Sequence, residues 1–110
     1  MWIFTPNGFF SIVSAEEFGE EIMVRARCAS DLDRLRADCF PELGPNVEKP
    51  GRDYPVRAFT NRVDLAICLG RMAKTLDYSN FKDTVATRHS SERAHTYAKV
   101  WADCRAIQPG

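Results

Sequence analysis

The chain has 110 residues, of which 45% are apolar, the size and composition of one domain whose core needs neither disulfides nor metal. Fifteen Lys and Arg balance fifteen Asp and Glu, so bulk charge gives no support for binding nucleic acid or an anionic membrane. No apolar run approaches the ~20 residues that span a bilayer, and no basic and apolar leader precedes the first strand, so a cytoplasmic protein without a membrane partner is expected.

The opening stretch, Met1 to Ser14, reads as two strands around an Asn7-Gly8 turn of type I′, since both residues tolerate positive φ. That turn pairs Pro6 with Phe9, Phe4 with Ser11, Ile3 with Ile12 and Trp2 with Val13. One face then carries Trp2, Phe4, Pro6, Phe9, Ser11 and Val13, the expected floor for the helices. The other carries Ile3, Thr5, Phe10 and Ile12, with no obvious cover, which makes Ile3, Phe10 and Ile12 a candidate interface.

Ala15–Gly19 is turn-like. A third strand is expected over Glu21–Cys28, where Ile22, Val24, Ala26 and Cys28 alternate with Met23, Arg25 and Arg27. Arg25 and Arg27 therefore share a face, about 7 Å apart along the strand. Ser30 and Asp33 resemble a capping box for a short helix with Leu32, Leu35 and Cys39 on one stripe. Glu42 to Asp53 is rich in Pro and Gly and reads as the longest loop. Tyr54–Thr60 reads as a fourth strand, at an edge because of Pro55 and linked to the third by a right-handed crossover.

Asn61 caps a helix reaching about Leu76, with two apolar stripes that predict deep burial. Gly70 within it implies close backbone approach. Ser79 or Asn80 starts a helix to about Thr87. Ser90 to Glu92 starts a last helix with Ala94, Tyr97, Ala98, Trp101 and Cys104 on one stripe. The expected fold is one α+β domain over residues 1–110, with about four mainly antiparallel strands and helices on one face, loosely ferredoxin-like in its layers.

Five blocks in order, Met1–Val13, Arg25-Ala26-Arg27, Asp53–Arg57, Asp77–Lys82 and Tyr97 with Val100-Trp101, resemble a family of small bacterial proteins of uncharacterised function. The resemblance implies a shared fold and no activity.

The chemistry-bearing residues fall into one main group. Arg25, Arg27 and Arg57 lie on strands, and Asp53, Tyr54, Tyr78, Asn80 and Lys82 lie in segments that can approach them. Guanidinium forks beside Asn and Tyr suit a phosphate, a carboxylate or an acidic protein surface. The plain alternative is solvated arginines paired with Asp53, Asp77 and Glu residues. For Asp77–Lys82 it is a helix corner, with Tyr78 and Phe81 as plugs and Ser79 or Asn80 as cap.

His89 and His95 are six apart, off the i, i+4 spacing of a helical metal pair. The four cysteines, Cys28, Cys39, Cys68 and Cys104, are scattered and read as reduced core residues. No metal, cofactor or catalytic residue is therefore assigned. The leading expectation is a small non-catalytic binding or regulatory module with a protein partner. A homodimer, or a phage-type inhibitor of a bacterial defence complex, is one version of it. The alternatives are a small enzyme or phosphate-ligand binder using the Arg/Tyr/Lys cluster, and an RNA-binding sheet, which net neutrality disfavours.

Overall fold

The computed structural model describes residues 1–17 and 19–110. Phe18, within the turn expected over Ala15–Gly19, lies outside the described residues. The chain forms two compact units, Met1–Leu76 and Asp77–Gly110. The first holds β1 (Trp2–Thr5), β2 (Gly8–Ser14), β3 (Glu21–Ala26), α1 (Ala29–Asp38), β4 (Val47–Glu48), β5 (Val56–Asn61) and α2 (Arg62–Lys74). The second holds α3 (Phe81–Arg88) and α4 (Ser91–Asp103), followed by a short 3₁₀ turn over Cys104–Ile107. The class is α+β, as expected, with a fully antiparallel five-stranded sheet in the order β1-β2-β3-β5-β4.

The hairpin register differs from the expectation by two residues. Thr5 pairs with Gly8, Phe4 with Phe9, Ile3 with Phe10 and Trp2 with Ser11, so Pro6 and Asn7 form the turn. No residue there has positive φ, which excludes type I′. Proline's fixed φ suits the first central position of a turn with negative φ throughout. The Thr5 hydroxyl closes the turn, accepting from the Asn7 and Gly8 N–H groups at 3.1 Å and donating to the Gly8 carbonyl at 3.0 Å.

Gly8 is required by close approach. A Cβ there would stand 2.8 Å from Cγ of Asp31. Asp31 is only 1% exposed, and its carboxylate accepts the Phe9 N–H at 3.0 Å. It sits in the first turn of α1, where the helix dipole favours negative charge. The expected Ser30/Asp33 box does not form: Cys28 is the N-cap residue, and both Ser30 and Asp33 face solvent. Two turns along α1, Asp38 accepts a hydrogen bond from the Asn7 side chain. One helix face thus grips the hairpin tip at both ends.

A two-residue shift leaves the side chains on their expected faces, but the burial of the faces is the reverse of the expectation. Phe10 (1% exposed) and Ile12 are in the core, and Ile3 packs against it. They meet Leu32 and Leu35 of α1, Leu65, Cys68 and Met72 of α2, and Val24, Ala26, Val56 and Ala58 of the sheet. Ile3, Phe10 and Ile12, expected on an uncovered face, are thus covered within the chain itself. Burying a side chain of Phe10's size contributes roughly 1.5–3 kcal/mol, and α1 and α2 supply the cover.

Three other expectations change. The Glu42–Asp53 stretch contains an edge strand, β4, which pairs with β5, so β5 lies inside the sheet with Pro55 just ahead of it. β3 and β5 run antiparallel, so α1 is not a crossover between parallel strands. And α2 is the least buried helix of the first unit: Cys68 is its one buried residue, while Val63 and Ile67 are exposed. Nothing lies within 4 Å of a Cβ placed on Gly70. Of the cysteines, Cys39 and Cys68 are core residues as expected, whereas Cys104 is exposed.

In the second unit, Asn80 and Ser90 cap α3 and α4 by accepting the Asp83 and Arg93 N–H groups at 2.9 and 3.0 Å. Phe81 stacks on Tyr97 at 5.8 Å, and Val85, Ala94 and Tyr97 are buried. Trp101, expected on that buried stripe, is exposed.

Two stability predictions follow from this packing. Gly70→Ala, on an open helix surface, should raise stability by up to about 1 kcal/mol in urea denaturation. Asp31→Ala should lower it by about 2–3 kcal/mol, because the Phe9 N–H loses a charged acceptor in a buried place. Asp31→Asn, which keeps an acceptor of the same shape, should lose less.

Candidate anion-binding sheet face

The sheet face turned away from α1 and α2 is organised by cross-strand rows. One row crosses all five strands: Trp2 pairs with Ser11, Ser11 with Arg25, Arg25 with Arg57, and Arg57 with Val47. The two arginines are thus direct neighbours on adjacent strands, where Cβ atoms stand about 4.5–5.5 Å apart. Like charges in such a pair are destabilising unless something screens them.

Tyr54 and the backbone around it hold the guanidinium groups. Arg25 and Arg27, two residues apart and on one face, place their guanidinium carbons 4.7 and 4.6 Å from the centre of the Tyr54 ring. Arg25 donates to the Ser11 hydroxyl at 2.7 Å. Arg57 donates to the Tyr54 carbonyl at 3.0 Å and lies 3.5 Å from Sδ of Met23. Arg27 donates to the backbone carbonyl of Asp53. The Nε–H groups of Arg25 and Arg57 are buried with no hydrogen-bond partner among the described residues.

Among the described residues, none of these three arginines pairs with a carboxylate. The solvated ion pairs that would make this an ordinary outer face are not there. Asp53 contributes its main-chain oxygen, and the Asp77 carboxylate is held by Arg88 at 2.8 Å. Ion pairs elsewhere in the first unit, Arg36–Asp33 and Arg71–Glu42, use other residues. Among the described residues, the partners of these three positive charges are hydroxyl, carbonyl, thioether and ring groups.

Aromatic side chains continue the face. Phe4 and Phe9 stack at 4.5 Å, Trp2 meets Phe9 edge-on at 5.8 Å, and Phe9 lies 6.3 Å from Tyr54. Trp2 is 66% exposed. A large apolar ring left open on the same sheet face as a group of arginines is a pattern enriched in binding surfaces.

Five of the eight residues singled out from the sequence, Arg25, Arg27, Asp53, Tyr54 and Arg57, come together here. Tyr78, Asn80 and Lys82 belong to the second unit. There Asn80 is occupied as a helix cap, Tyr78 packs 6.1 Å from Phe81 and lies under the Arg88 guanidinium at 5.8 Å, and Lys82 is exposed on α3. These contacts are those of a helix corner. Trp2, Phe4, Phe9 and Ser11 were missed as site residues. Their position on one face of the hairpin was the available signal. No grouping of three or more His, Cys, Asp or Glu that could hold a metal occurs among the described residues.

Comparison with protein-family models, with curated proteins and with solved structures returned no significant match.

The Tyr54 ring gives the first test of this geometry. Tyr54→Phe keeps the ring, and the phenol oxygen has no hydrogen-bond partner among the described residues, so stability should stay within about 0.5 kcal/mol. Tyr54→Leu keeps apolar bulk and removes both cation–π contacts, and should cost about 1–2 kcal/mol in urea denaturation.

Proposed function

We propose that this chain is a small non-catalytic binding module, and that its sheet face of Arg25, Arg27, Arg57, Tyr54, Phe9 and Trp2 receives an acidic protein surface. The observation that carries this reading is the Arg25–Arg57 cross-strand pair, left without a carboxylate partner among the described residues. A partner carboxylate set between the two guanidinium groups relieves their repulsion and accepts charge-assisted, two-point hydrogen bonds. Trp2 and the stacked Phe4 and Phe9 give such a partner apolar area beside the charge.

The guanidinium groups start partly preorganised. Arg25 and Arg27 are already packed on Tyr54, so less side-chain freedom is lost on binding than for solvated arginines. Acyl-transfer or acid–base chemistry has no support in this group, where neither a nucleophile beside a base nor a carboxylate pair is present. The reading keeps a protein partner and moves the interface to the hairpin face opposite Ile3, Phe10 and Ile12.

Binding of labelled poly-glutamate and of single-stranded oligouridylate, measured by fluorescence anisotropy at low and at physiological salt, tests this reading. Poly-glutamate should bind, weaken steeply as salt rises, and lose at least about tenfold in affinity when Arg25, Arg27 and Arg57 are all changed to Gln. Lys82→Gln in the second unit should leave affinity unchanged. Binding of oligouridylate alone would move the assignment to RNA, and equal binding by the triple variant would remove the arginine face from consideration.

A further inference from the structure

Two of the four cysteines meet inside the first unit. Cys39 follows the last turn of α1, and Cys68 lies on the inward side of α2. Their Sγ atoms are 3.6 Å apart, although 29 residues separate them in the chain. The backbone on either side of this contact is tied. Arg71, one turn beyond Cys68, donates to the Cys39 carbonyl at 3.1 Å and to the two carboxylate oxygens of Glu42 at 2.9 and 2.7 Å. The segment carrying Cys39 is thereby fixed to α2. The gap left to a covalent sulfur–sulfur bond is about 1.5 Å, shared between two side chains.

The two thiols are not equivalent. Cys39 is 8% exposed and Cys68 1%. The hydrogen bond from Cys68 lowers the pKa of Cys39, and Arg71 acts in the same direction against burial and the charges of Asp38 and Glu42. That hydrogen bond and burial push Cys68 the other way. Cys39 is thus the more exposed residue of the two and the more readily ionised thiol, the properties of an attacking thiol. Cys68 stands in contact with it, the position of a resolving thiol.

We propose that Cys39 and Cys68 form a reversible oxidation site, converted by hydrogen peroxide into an intramolecular disulfide. The Cys39 thiolate attacks one peroxide oxygen and the O–O bond breaks. Cys39 becomes a sulfenic acid, and the departing hydroxide takes up the thiol proton as water. The Cys68 sulfur then attacks the Cys39 sulfur, the S–O bond breaks, and the second hydroxide leaves with the Cys68 proton as water. Two thiols lose two electrons in total, and one peroxide is reduced to two waters. A small oxidant is required because Cys39 is nearly closed to solvent. The bridge joins the end of α1 to the middle of α2 across a long loop, which restricts the unfolded chain. This site is separate from the arginine face and stands or falls independently of it.

The test uses the full chain carrying Cys28→Ser and Cys104→Ser, which retains only this pair. After hydrogen peroxide, quenching, denaturation and alkylation, intact-mass spectrometry should find a monomer lighter by two hydrogens and free of alkyl groups. Dithiothreitol should restore two alkylatable thiols. The bridged form should unfold roughly 10 °C higher than the reduced form. Adding Cys68→Ser should stop the reaction at its first step, with Cys39 trapped by dimedone as a sulfenic acid and no loss of hydrogens. Two thiols still open to alkylation after peroxide, oxidation of either sulfur to a sulfinic acid, or a disulfide between chains overturns the proposal.

Discussion

The buried carboxylate of Asp31 sets the geometry of the first unit. It enters the hairpin between the turn and the start of β2, accepts the Phe9 N–H, and leaves no room for a side chain at position 8. A buried charge is tolerable only with bonded partners, and the start of a helix adds a favourable dipole. The consequence is chain-wide. Once Asp31 occupies that place, Gly8 has to be a strand residue under it rather than the second residue of a turn. The turn moves back to Pro6-Asn7, and the register of β1 on β2 follows. Through β2 the register passes to β3 and β5, which brings Ser11, Arg25 and Arg57 into one row.

This explains why a strong local signal pointed to the wrong turn. Asn-Gly between apolar runs is the composition of a type I′ turn, but the glycine is there to admit a side chain 23 positions further along the chain. No local pattern carries that information. The faces of the hairpin survived the error because a shift of two residues conserves side-chain alternation. Their burial did not follow, since both faces are apolar and only the placement of α1 and α2 decides between them. Of the local cap signals, Asn61, Asn80 and Ser90 held, each accepting the N–H three residues on, while the Ser30/Asp33 pattern did not. The Leu32, Leu35 and Cys39 stripe is buried as its spacing implied. The two stripes of α2 were misleading for a similar reason. Abundant apolar residues state what a helix is able to bury, while the sheet and α1 set how much of it they cover.

The arginine face was legible in part. Strand alternation places Arg25 and Arg27 together with no knowledge of the fold. The nearness of Arg57 required the β3–β5 pairing, and the Tyr54 ring required the path of the chain before β5. Tyr78, Asn80 and Lys82 match that group in chemical type and lie in a segment whose path the sequence leaves open. In the structure, the first two do the work of a helix start, Asn80 as cap and Tyr78 as an aromatic plug against Phe81. A residue type suited to ligand binding is equally suited to capping, and the backbone N–H at the start of a helix has first claim on it.

The same sheet thus has two faces with opposite electrostatic logic. On the core face the Asp31 carboxylate is buried and bonded, and the thiol contact at the end of α1 is held by the Arg71–Glu42 pair. On the other face three charges of one sign are gathered and none is neutralised by a carboxylate among the described residues. Stability alone does not account for that second arrangement, because Gln or Thr at positions 25 and 57 would pair across β3 and β5 without repulsion. Arginine at both positions, with Tyr54 packed against the guanidinium groups of Arg25 and Arg27, is the arrangement on which the proposal of an acidic partner rests.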